Sequence, residues 1–315
     1  MTNRAVIHDQ DLIRSGFPGW NNVHEAMTAP NVLRVSADIA FDWLSIAGAM
    51  ILFHRLGWYS APAVIAWIGN RQRALGNLLH DAAHRNLANS NRLNDALAKI
   101  FIAPPLFNSL AIYRELHASH HAWLSEPRAD PDYINARPVP GKGWWLPYFE
   151  VLLAPRTWTA STLGHLHSPK TALSRKAGIV LWWLAVLSAV TLLMGLHAAA
   201  TVIALWMAAK ATVFHAITTF REFCDHFGRR PGGVFNYTRD ISSKSIWRWV
   251  IHPRNNGYHL THHLMPSIPY HRLPNAQTML LEIPVFVDTA RVCHSYFSGP
   301  DAVVREWEIH SGDQT

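Results

Sequence analysis

The histidines of this chain are concentrated in three short segments that lie far apart in the sequence. The chain has 20 histidines among 315 residues. On a helix, residues three or four apart project from the same face, so each segment can direct two or three imidazoles at one point. The segments are His80-Asp-Ala-Ala-His84, His117-Ala-Ser-His120-His121 and His259-Leu-Thr-His262-His263.

Imidazoles in this number indicate a site for two metal ions. Neutral imidazole binds iron, zinc, copper and nickel. A zinc site usually takes four ligands, often with cysteine, but this chain offers twice as many histidines and contains only Cys224 and Cys293. Carboxylate-bridged di-iron bundles use glutamates and Glu-x-x-His pairs, which are not evident here. A histidine-rich pair of irons that activates O2 uses all of these ligands.

The composition favours contact with a membrane over contact with nucleic acid. Hydrophobic residues make up 49% of the chain and charged residues 16%, yet the formal net charge is +7. The basic residues are scattered through an apolar chain, which argues against a nucleic-acid surface. Loops beside a bilayer favour Lys and Arg. The first thirty residues contain no apolar core of signal-peptide type, so we expect insertion to depend on internal helices.

Four apolar stretches approach the length of about 20 residues that a spanning helix needs. They form two hairpins, and Leu196-His197 is the predicted turn of the second. Arg71 and Arg73 interrupt the first hairpin and are expected near the cytosolic end or facing a polar interior; a buried soluble helix pair is the alternative there. The arms are residues 39–56 and 61–79 in the first hairpin and residues 178–195 and 198–218 in the second.

The remaining segments are expected on the cytosolic side. Residues 100–113 are apolar but too short to span and are broken by Pro104-Pro105, which indicates a re-entrant or interfacial piece. Residues 125–170, rich in Pro and Trp, are expected to form a loop with interfacial pieces. Residues after about 228 should form a soluble cap. Basic residues flank the outer ends of both hairpins, so the termini and all long loops should be cytosolic.

The predicted fold is therefore an all-α integral membrane protein. Four transmembrane helices in two hairpins carry a cytosolic helical cap, and the three histidine segments meet on the cytosolic face to hold a di-iron site. The division we predict is a cytosolic N-terminal segment (1–35), the membrane domain with its cap (36–285) and a cytosolic C-terminal tail (286–315).

The flanks of the histidine segments complete a resemblance. His120-His121 is followed by Pro127 and Asp130-Pro131-Asp132, and the third segment lies within the stretch NNGYHLTHHLMPSIP, which begins at Asn255. Over residues 35–285 the chain resembles the integral-membrane fatty acid desaturase/hydroxylase superfamily, which has three histidine boxes and a non-heme di-iron centre. That resemblance implies a ninth histidine ligand. His226, in the RxxxDH sequence that begins at Arg221, is the expected one, and His215 is a weaker choice.

The resemblance also suggests roles for polar residues next to the ligand histidines. Asp81 and Asp225 each adjoin a ligand histidine and are expected to orient imidazoles; a solvated acid, or a salt bridge to Arg85 or Arg221, is the alternative. Asn255 is expected to bind a metal or its water, with helix capping as the alternative.

The activity implied by the resemblance is O2-dependent desaturation of an aliphatic chain, fatty-acyl or other lipid. Two irons, O2 and two external electrons per turnover would be needed, with the electrons supplied by ferredoxin or cytochrome b5. A basic cytosolic face suits an acidic electron-transfer protein. The expected location is a membrane, such as the bacterial inner membrane, with the lipid bilayer, an electron-transfer protein and an aliphatic substrate (free, lipid- or carrier-linked) as partners.

Two alternatives stay open from the sequence. A hydroxylase or ketolase of the same superfamily, acting on a carotenoid, an alkane or an amino-acid-derived small molecule, would share the metal site. A membrane metal transporter is the remote alternative, because transporters place ligands near the bilayer midplane on broken helices, whereas these segments follow the ends of the predicted spans.

Overall fold

The computed structural model describes residues 3–17, 19–136, 138 and 142–308. The chain is mostly helical, which confirms the predicted class. Residues 309–315 of the predicted C-terminal tail lie outside the described residues, as do residues 1–2 and 18 of the predicted N-terminal segment. The helices are α1 (Arg4–Gly16), α2 (Trp20–Thr28), α3 (Val32–Leu56), α4 (Ala61–Ala83), α5 (Asn91–Leu97), α6 (Leu110–Ala122), α7 (Trp145–Leu153), α8 (Pro155–Leu163), α9 (Leu173–Met194), α10 (Leu196–Ala209), α11 (His215–His226), α12 (Val234–Tyr237), α13 (Trp247–Val250), α14 (His259–Leu264), α15 (Leu273–Leu280) and α16 (Pro284–Thr289).

Three helical runs are long and apolar enough to cross a membrane: His24–Ala83, Leu173–Met194 and Leu196–His226. The first run contains both α3 and α4, which pack against each other across a 3-10 turn at Gly57–Ser60. Gly57 adopts φ 61°, a left-handed conformation that glycine takes without steric cost.

The second hairpin turns at Gly195 rather than at the predicted Leu196-His197. Gly195 has φ 90° and ends α9, and α10 begins at the next residue. Leu196 and His197 can both continue as helix, so glycine is the only residue here that supplies the reversal. Beyond α10 the chain passes through a π-helix (Lys210–Phe214) directly into α11, which carries the second arm on to His226.

Helix α4 is the central element of the fold. It packs against α3, α6, α10 and the π-helix Lys210–Phe214. Its apolar side chains Ile68, Leu75 and Leu78 are fully buried. The helix continues to Ala83, past the predicted end at residue 79, so that the first histidine segment occupies its last turn.

Tryptophan side chains hydrogen-bond to the irregular segment that precedes α6. A π-helix (Ala98–Ile102) and a 3-10 turn (Pro104–Leu106) interrupt the regular α-helical hydrogen bonds here, although the Phe107 N–H still donates to the Pro104 carbonyl. Backbone carbonyl groups must be satisfied where no water is available. Four indole N–H groups donate to these carbonyls at 2.8–3.1 Å: Trp182 to Ile100, Trp43 to Phe101, Trp183 to Pro104 and Trp206 to Pro105.

The expected loop over residues 125–170 contains two nine-residue helices, α7 and α8. After residue 228 short helices alternate with turns. Two short strands, β1 (Asp240–Ile241) and β2 (Val292–Cys293), pair in parallel and add a small element that the all-α prediction lacked. The pairing ties residues 292–293 to the segment before α14, and Trp307 nearby is buried at 1% exposure.

The N-terminal helix α1 covers the cap. Val6 and Ile13 are buried in its apolar cluster. The Asp9 carboxylate accepts a hydrogen bond from the Phe235 N–H at 3.2 Å. The Gln10 side chain donates to the carbonyl of His263 at 3.0 Å, so this helix contacts the third histidine segment directly.

Close approach of α4 to the π-helix gives a test of the packing. A Cβ atom at Gly69 would lie 2.6 Å from the Val213 Cβ. Gly69→Ala should therefore force the two helices apart and lower the free energy of unfolding by about 1–3 kcal/mol. Gly48→Ala in α3 is the matched control, since nothing lies within 4 Å of its Cβ position. Unfolding of both variants in one detergent measures the difference; equal stability would refute the packing.

Candidate metal centre

The nine predicted ligand histidines come together in two groups. Within each group the ligand nitrogens lie within 4.8 Å of one another. Eight of the nine come from the three segments and the ninth is His226, whereas His215 belongs to neither group. The five-histidine group consists of His80, His84, His117, His121 and His262, and the four-histidine group consists of His120, His226, His259 and His263.

Helical geometry explains how adjacent histidines divide between the groups. Neighbouring residues on a helix project about 100° apart. His120 therefore points into the four-histidine group and His121 into the five-histidine group. His262 and His263 on α14 divide in the same way but in the opposite order. Each HH pair thus serves both groups, and the two groups are neighbours.

Side chains from α5 and α6 hold the C-terminal end of α4 by hydrogen bonds. The Arg114 guanidinium on α6 donates to the carbonyls of Ala82 at 3.0 Å and Ala83 at 3.1 Å. The Asn94 amide donates to the Ala82 carbonyl as well, at 3.1 Å. Since the last carbonyls of a helix have no partners within it, these contacts fix the end that carries His84.

A carboxylate positions the third histidine segment. Asp240 in β1 accepts hydrogen bonds from the Thr261 N–H at 3.0 Å and the Thr261 hydroxyl at 2.5 Å. The amide N–H groups in the first turn of a helix lack partners within it, so Asp240 satisfies one of them in α14. Gln277 also donates to Asp240, at 3.0 Å. Burial raises the pKa of Asp240 to about 6.

Within each group the Nε2 atoms face one another. In the five-histidine group, Nε2 pairs lie 2.8 Å (His84–His117), 3.1 Å (His117–His121) and 3.1 Å (His121–His262) apart. An imidazole nitrogen lies about 2.0–2.1 Å from a bound metal ion, so two ligands at right angles around one ion are about 3 Å apart. The spacing therefore fits shared coordination.

The four-histidine group shows the same spacing, and a backbone carbonyl fixes the tautomer of His226. Its Nε2 pairs lie 3.0 Å (His226–His259), 3.0 Å (His259–His263) and 3.3 Å (His120–His263) apart. His226 Nδ1 donates to the carbonyl of Tyr237 at 3.1 Å. A neutral imidazole that donates from Nδ1 presents a bare lone pair at Nε2, so the His226 lone pair faces the other imidazoles of this group.

Asp130 holds His120 in the same way. Its Oδ1 accepts the His120 Nδ1–H at 2.8 Å, and its Oδ2 accepts the Ser125 N–H at 3.0 Å. Burial opposes ionisation, but the hydrogen bond and charge of His120, together with the Asp132 N–H, outweigh it and lower the pKa of Asp130 below its usual range. Burial likewise opposes the charged form of His120, but Asp130 and Asp132 outweigh it and raise the pKa of that imidazole.

Burial keeps the other imidazoles neutral. Loss of solvent lowers the pKa of His84 to about 4. It lowers the pKa of His117, His121, His259, His262 and His263 well below the usual value, and mutual repulsion between the imidazoles adds to the effect. Metal binding requires the neutral form of histidine, so the dry surroundings prepare these side chains as ligands.

The predicted supporting carboxylates lie beside the groups. Asp225 Oδ2 is 3.2 Å from the Arg221 guanidinium, which is the salt bridge of the alternative. It is 3.6 Å from His259 Nδ1, beyond hydrogen-bonding distance, so its orienting role stays a prediction. Asp81 Oδ1 is 3.7 Å from His80 Nδ1. Its Oδ2 accepts the backbone N–H of Tyr270 at 2.8 Å.

Asn255 makes a contact outside both groups. Its amide donates to the Tyr270 carbonyl at 3.2 Å, so it fastens the turn before the third segment. Its role as a ligand to a metal or its water stays a prediction. Cys224 is fully buried in an apolar cluster.

Two supporting residues escaped sequence reasoning. His252 donates from Nε2 to Asp225 at 3.1 Å and contacts the Tyr296 hydroxyl through Nδ1 at 2.9 Å. Asp130 was noted only as part of a motif. Asp130 lies ten residues after His120 in a turn-forming stretch. A carboxyl group at that position was the sequence signal for a hydrogen-bond partner of a ligand histidine.

Comparison with known proteins agrees with this geometry. Residues 19–294 match the model of the fatty acid desaturase family, and the chain belongs to that family. It is an oxidoreductase. It is 30% identical over 272 residues to a dihydrorhizobitoxine desaturase of Bradyrhizobium elkanii, covering 80% of this chain and 76% of that protein. A delta 8-(E)-sphingolipid desaturase of Emericella nidulans is 37% identical over 87 residues, which cover 27% of this chain and only 15% of that protein.

Asp130→Asn provides a test of the supporting contacts. The amide can place an N–H toward His120 and removes the charge that holds its tautomer, so metal affinity should fall by about 10–100-fold. Asp132→Asn should lose less, because that side chain is half exposed and lies 4.0 Å from His120. Competition with a chelator measures both variants against wild type. Wild-type affinity in Asp130→Asn would show that Asp130 does not support the site.

Proposed function

We propose that this protein is an O2-dependent membrane desaturase that holds two irons, one in each histidine group. The observation that supports it most is the convergence of nine buried or half-buried imidazoles in two neighbouring groups, with ligand nitrogens within 4.8 Å of one another in each. When bound, the irons supply the activation of O2 that removes hydrogen from an unactivated C–H bond. The overall reaction converts the saturated substrate, O2, two electrons and two protons into an alkene and two molecules of water.

The protein's own side chains have distinct parts in this proposal. The nine histidines bind the irons: His80, His84, His117, His121 and His262 hold one, and His120, His226, His259 and His263 hold the other. Asp130 and the carbonyl of Tyr237 keep His120 and His226 in the tautomer that directs Nε2 inward. Burial of the ligands excludes bulk water, which prevents loss of reactive species to side reactions.

The names of the relatives support desaturation over hydroxylation. Both are desaturases by name, one of dihydrorhizobitoxine and the other of a sphingolipid. We infer that this chain introduces a carbon–carbon double bond into an aliphatic substrate. The longer match is to the former protein, so the substrate class extends beyond fatty-acyl lipids to small molecules with an aliphatic portion.

We further propose the topology predicted from the sequence. Helices α3, α4, α9 and the run from α10 to α11 would cross the membrane, with the cap and both metal groups on the cytosolic side of a bacterial inner membrane. The residues between 228 and 308 would then form the cap. Electrons would arrive from a separate ferredoxin or cytochrome b5.

The position of the histidines favours an enzyme over a metal transporter. His80 and His84 lie at the C-terminal end of α4, and His226 is the last residue of α11. Transporters place their ligands near the middle of the membrane on interrupted helices. Here the ligands converge at the ends of long helices.

Replacement of one ligand in the four-histidine group tests the metal assignment. Purified protein should contain about two irons per chain, one for each group. His120→Ala or His263→Ala should remove at least one iron and abolish product, because each leaves three imidazoles in that group. His215→Ala, outside both groups, is the control. Full iron content and retained activity in either ligand variant would overturn the assignment.

The nature of the product separates desaturation from hydroxylation. Mass spectrometry of metabolite and lipid extracts from cells with and without the protein, under air, should reveal a product lacking two hydrogen atoms. A product that instead gains one oxygen atom would assign the protein to the hydroxylases of the family. Cells that carry His263→Ala serve as the control for changes unrelated to catalysis.

A further inference from the structure

Part of the cap, which we expected from the sequence to be soluble, exposes large apolar side chains. Residues 244–249 read KSIWRW, and the last three of them begin α13. Ile246 is 73% exposed, Trp247 46% and Trp249 56%. Single apolar residues are common on protein surfaces, but a contiguous exposed patch marks a place where a protein meets another molecule or a membrane.

Aromatic contacts join this stretch to α7. The Trp247 ring lies 5.1 Å from the ring of Phe297, which lies 6.1 Å from that of Trp144, the residue before α7. On α7 itself, Trp145 and Phe149 are about half exposed. The exposed side chains of the two helices are thus linked through Phe297 into one surface. This aromatic surface consists of Trp145, Phe149, Ile246, Trp247, Trp249 and Phe297.

Hydrogen bonds place the aromatic surface beside the helices that are long and apolar enough to cross a membrane. The Asn70 amide on α4 donates to the carbonyls of Trp249 at 3.1 Å and Val250 at 3.0 Å. The Tyr148 hydroxyl on α7 donates to the Ala216 carbonyl on α11 at 3.1 Å. Asn70 and Ala216 both belong to the apolar runs described above. The surface therefore lies next to the proposed spans.

The charged groups around the aromatic surface are mostly basic. Over residues 142–156 and 244–250 the basic side chains are Lys142, Arg156, Lys244 and Arg248, and the acidic one is Glu150. The Arg248 guanidinium lies 4.5 Å from the centre of the Trp249 ring. Glu308 adds a second carboxylate, since it accepts the Trp144 N–H at 3.3 Å. Four cations against two carboxylates leave the region positive.

We propose that the aromatic surface lies in the headgroup region of an anionic lipid bilayer. Trp is enriched at membrane–water interfaces, because its ring can be buried while its N–H stays in contact with water. Basic side chains beside it attract anionic headgroups. Helices α7 and α13 would then lie on the membrane rather than across it.

This inference goes beyond the proposed function and adds to the proposed topology, in which the spans alone contact lipid. Only residues 251–258 separate α13 from His259, the first histidine of the third segment. Contact of α13 with the bilayer would therefore set the height of that segment above the membrane. It would give the cap an attachment to lipid besides the four spans.

A fluorescent label on an introduced cysteine measures the depth of the surface. Full-length Ile246→Cys is labelled and reconstituted into vesicles of equal parts phosphatidylcholine and phosphatidylglycerol. Cys224 and Cys293 are fully buried, so wild type treated in parallel gives the background. An interfacial helix is buried only about 5–10 Å. A quencher attached to lipid near the headgroup should therefore quench this label more strongly than one near the end of the acyl chain.

Two exposed positions serve as controls. Leu184→Cys, at the middle of α9, should be quenched more strongly by the deep quencher. Arg128→Cys, in the turn after the second histidine segment, should be quenched by iodide in the water and by neither lipid. Failure of both lipid quenchers at Leu184 would refute the proposed topology and this inference with it. The expected result at Leu184 without lipid quenching at Ile246 would refute the inference alone.

Charge reversal tests the preference for anionic lipid. Quenching of the Ile246→Cys label by the shallow quencher should be stronger in the mixed vesicles than in pure phosphatidylcholine. Adding Lys244→Glu and Arg248→Glu to this variant should abolish that difference. Equal quenching in the two lipids before charge reversal would overturn the inference. Protection of the label from both iodide and lipid quenchers would also overturn it, because a second copy of the chain would then cover the surface.

Discussion

The rest of the structure depends on the convergence of imidazole nitrogens in a buried interior. Two Nε2 atoms at 3.0 Å would repel if neither carried a proton, and burial prevents relief by water. A cation at the common point would turn that repulsion into coordination. Metal binding would then also contribute to the free energy of folding, because it would join α4, α6, α11 and α14, which are distant in sequence.

Side chains of the surrounding fold hydrogen-bond to backbone groups at helix ends and helix interruptions, so these groups do not take up the histidine nitrogens. Arg114 occupies the terminal carbonyls of α4, and Asp240 satisfies an amide at the start of α14. Tryptophan indoles satisfy the carbonyls of the interrupted segment before α6. In each case a side chain adds a hydrogen bond to a backbone group at a helix end or interruption. The ligand nitrogens therefore stay free to bind a metal ion.

Much of this site could be predicted from the sequence because its determinants are local. Spacing of three and four residues places the imidazoles on shared helix faces, whereas His226 is expected only because the resemblance to the family implies a ninth ligand. Asp130 and Asp240 could not be assigned roles, because their contacts depend on loops whose path the sequence does not specify. Ser125, for example, adopts φ 69° to bring its N–H to Asp130.

The fold differs from the prediction where backbone conformation matters more than side-chain polarity. The predicted turn of the second hairpin lies one residue late because His197 interrupts the apolar run, whereas backbone conformation, not polarity, determines where the chain reverses. Gly195 supplies the required φ. Residues 145–163 were expected as loop since prolines and tryptophans are frequent there, yet Pro155 begins α8 at a position where its missing N–H costs nothing.

The buried charges of the helical bundle fasten its helices together. Arg254 and Arg71 both bond to Asp42, and Arg254 also bonds to Asp38, so two cations and two carboxylates neutralise one another and fasten α3 and α4 to the turn before α14. Such a cluster stabilises the fold and cannot recognise a ligand without breaking. Arg73, on the same helix and two residues further along, donates to Asn77 and to Thr218 and so joins α4 to α11 just before the first histidine segment.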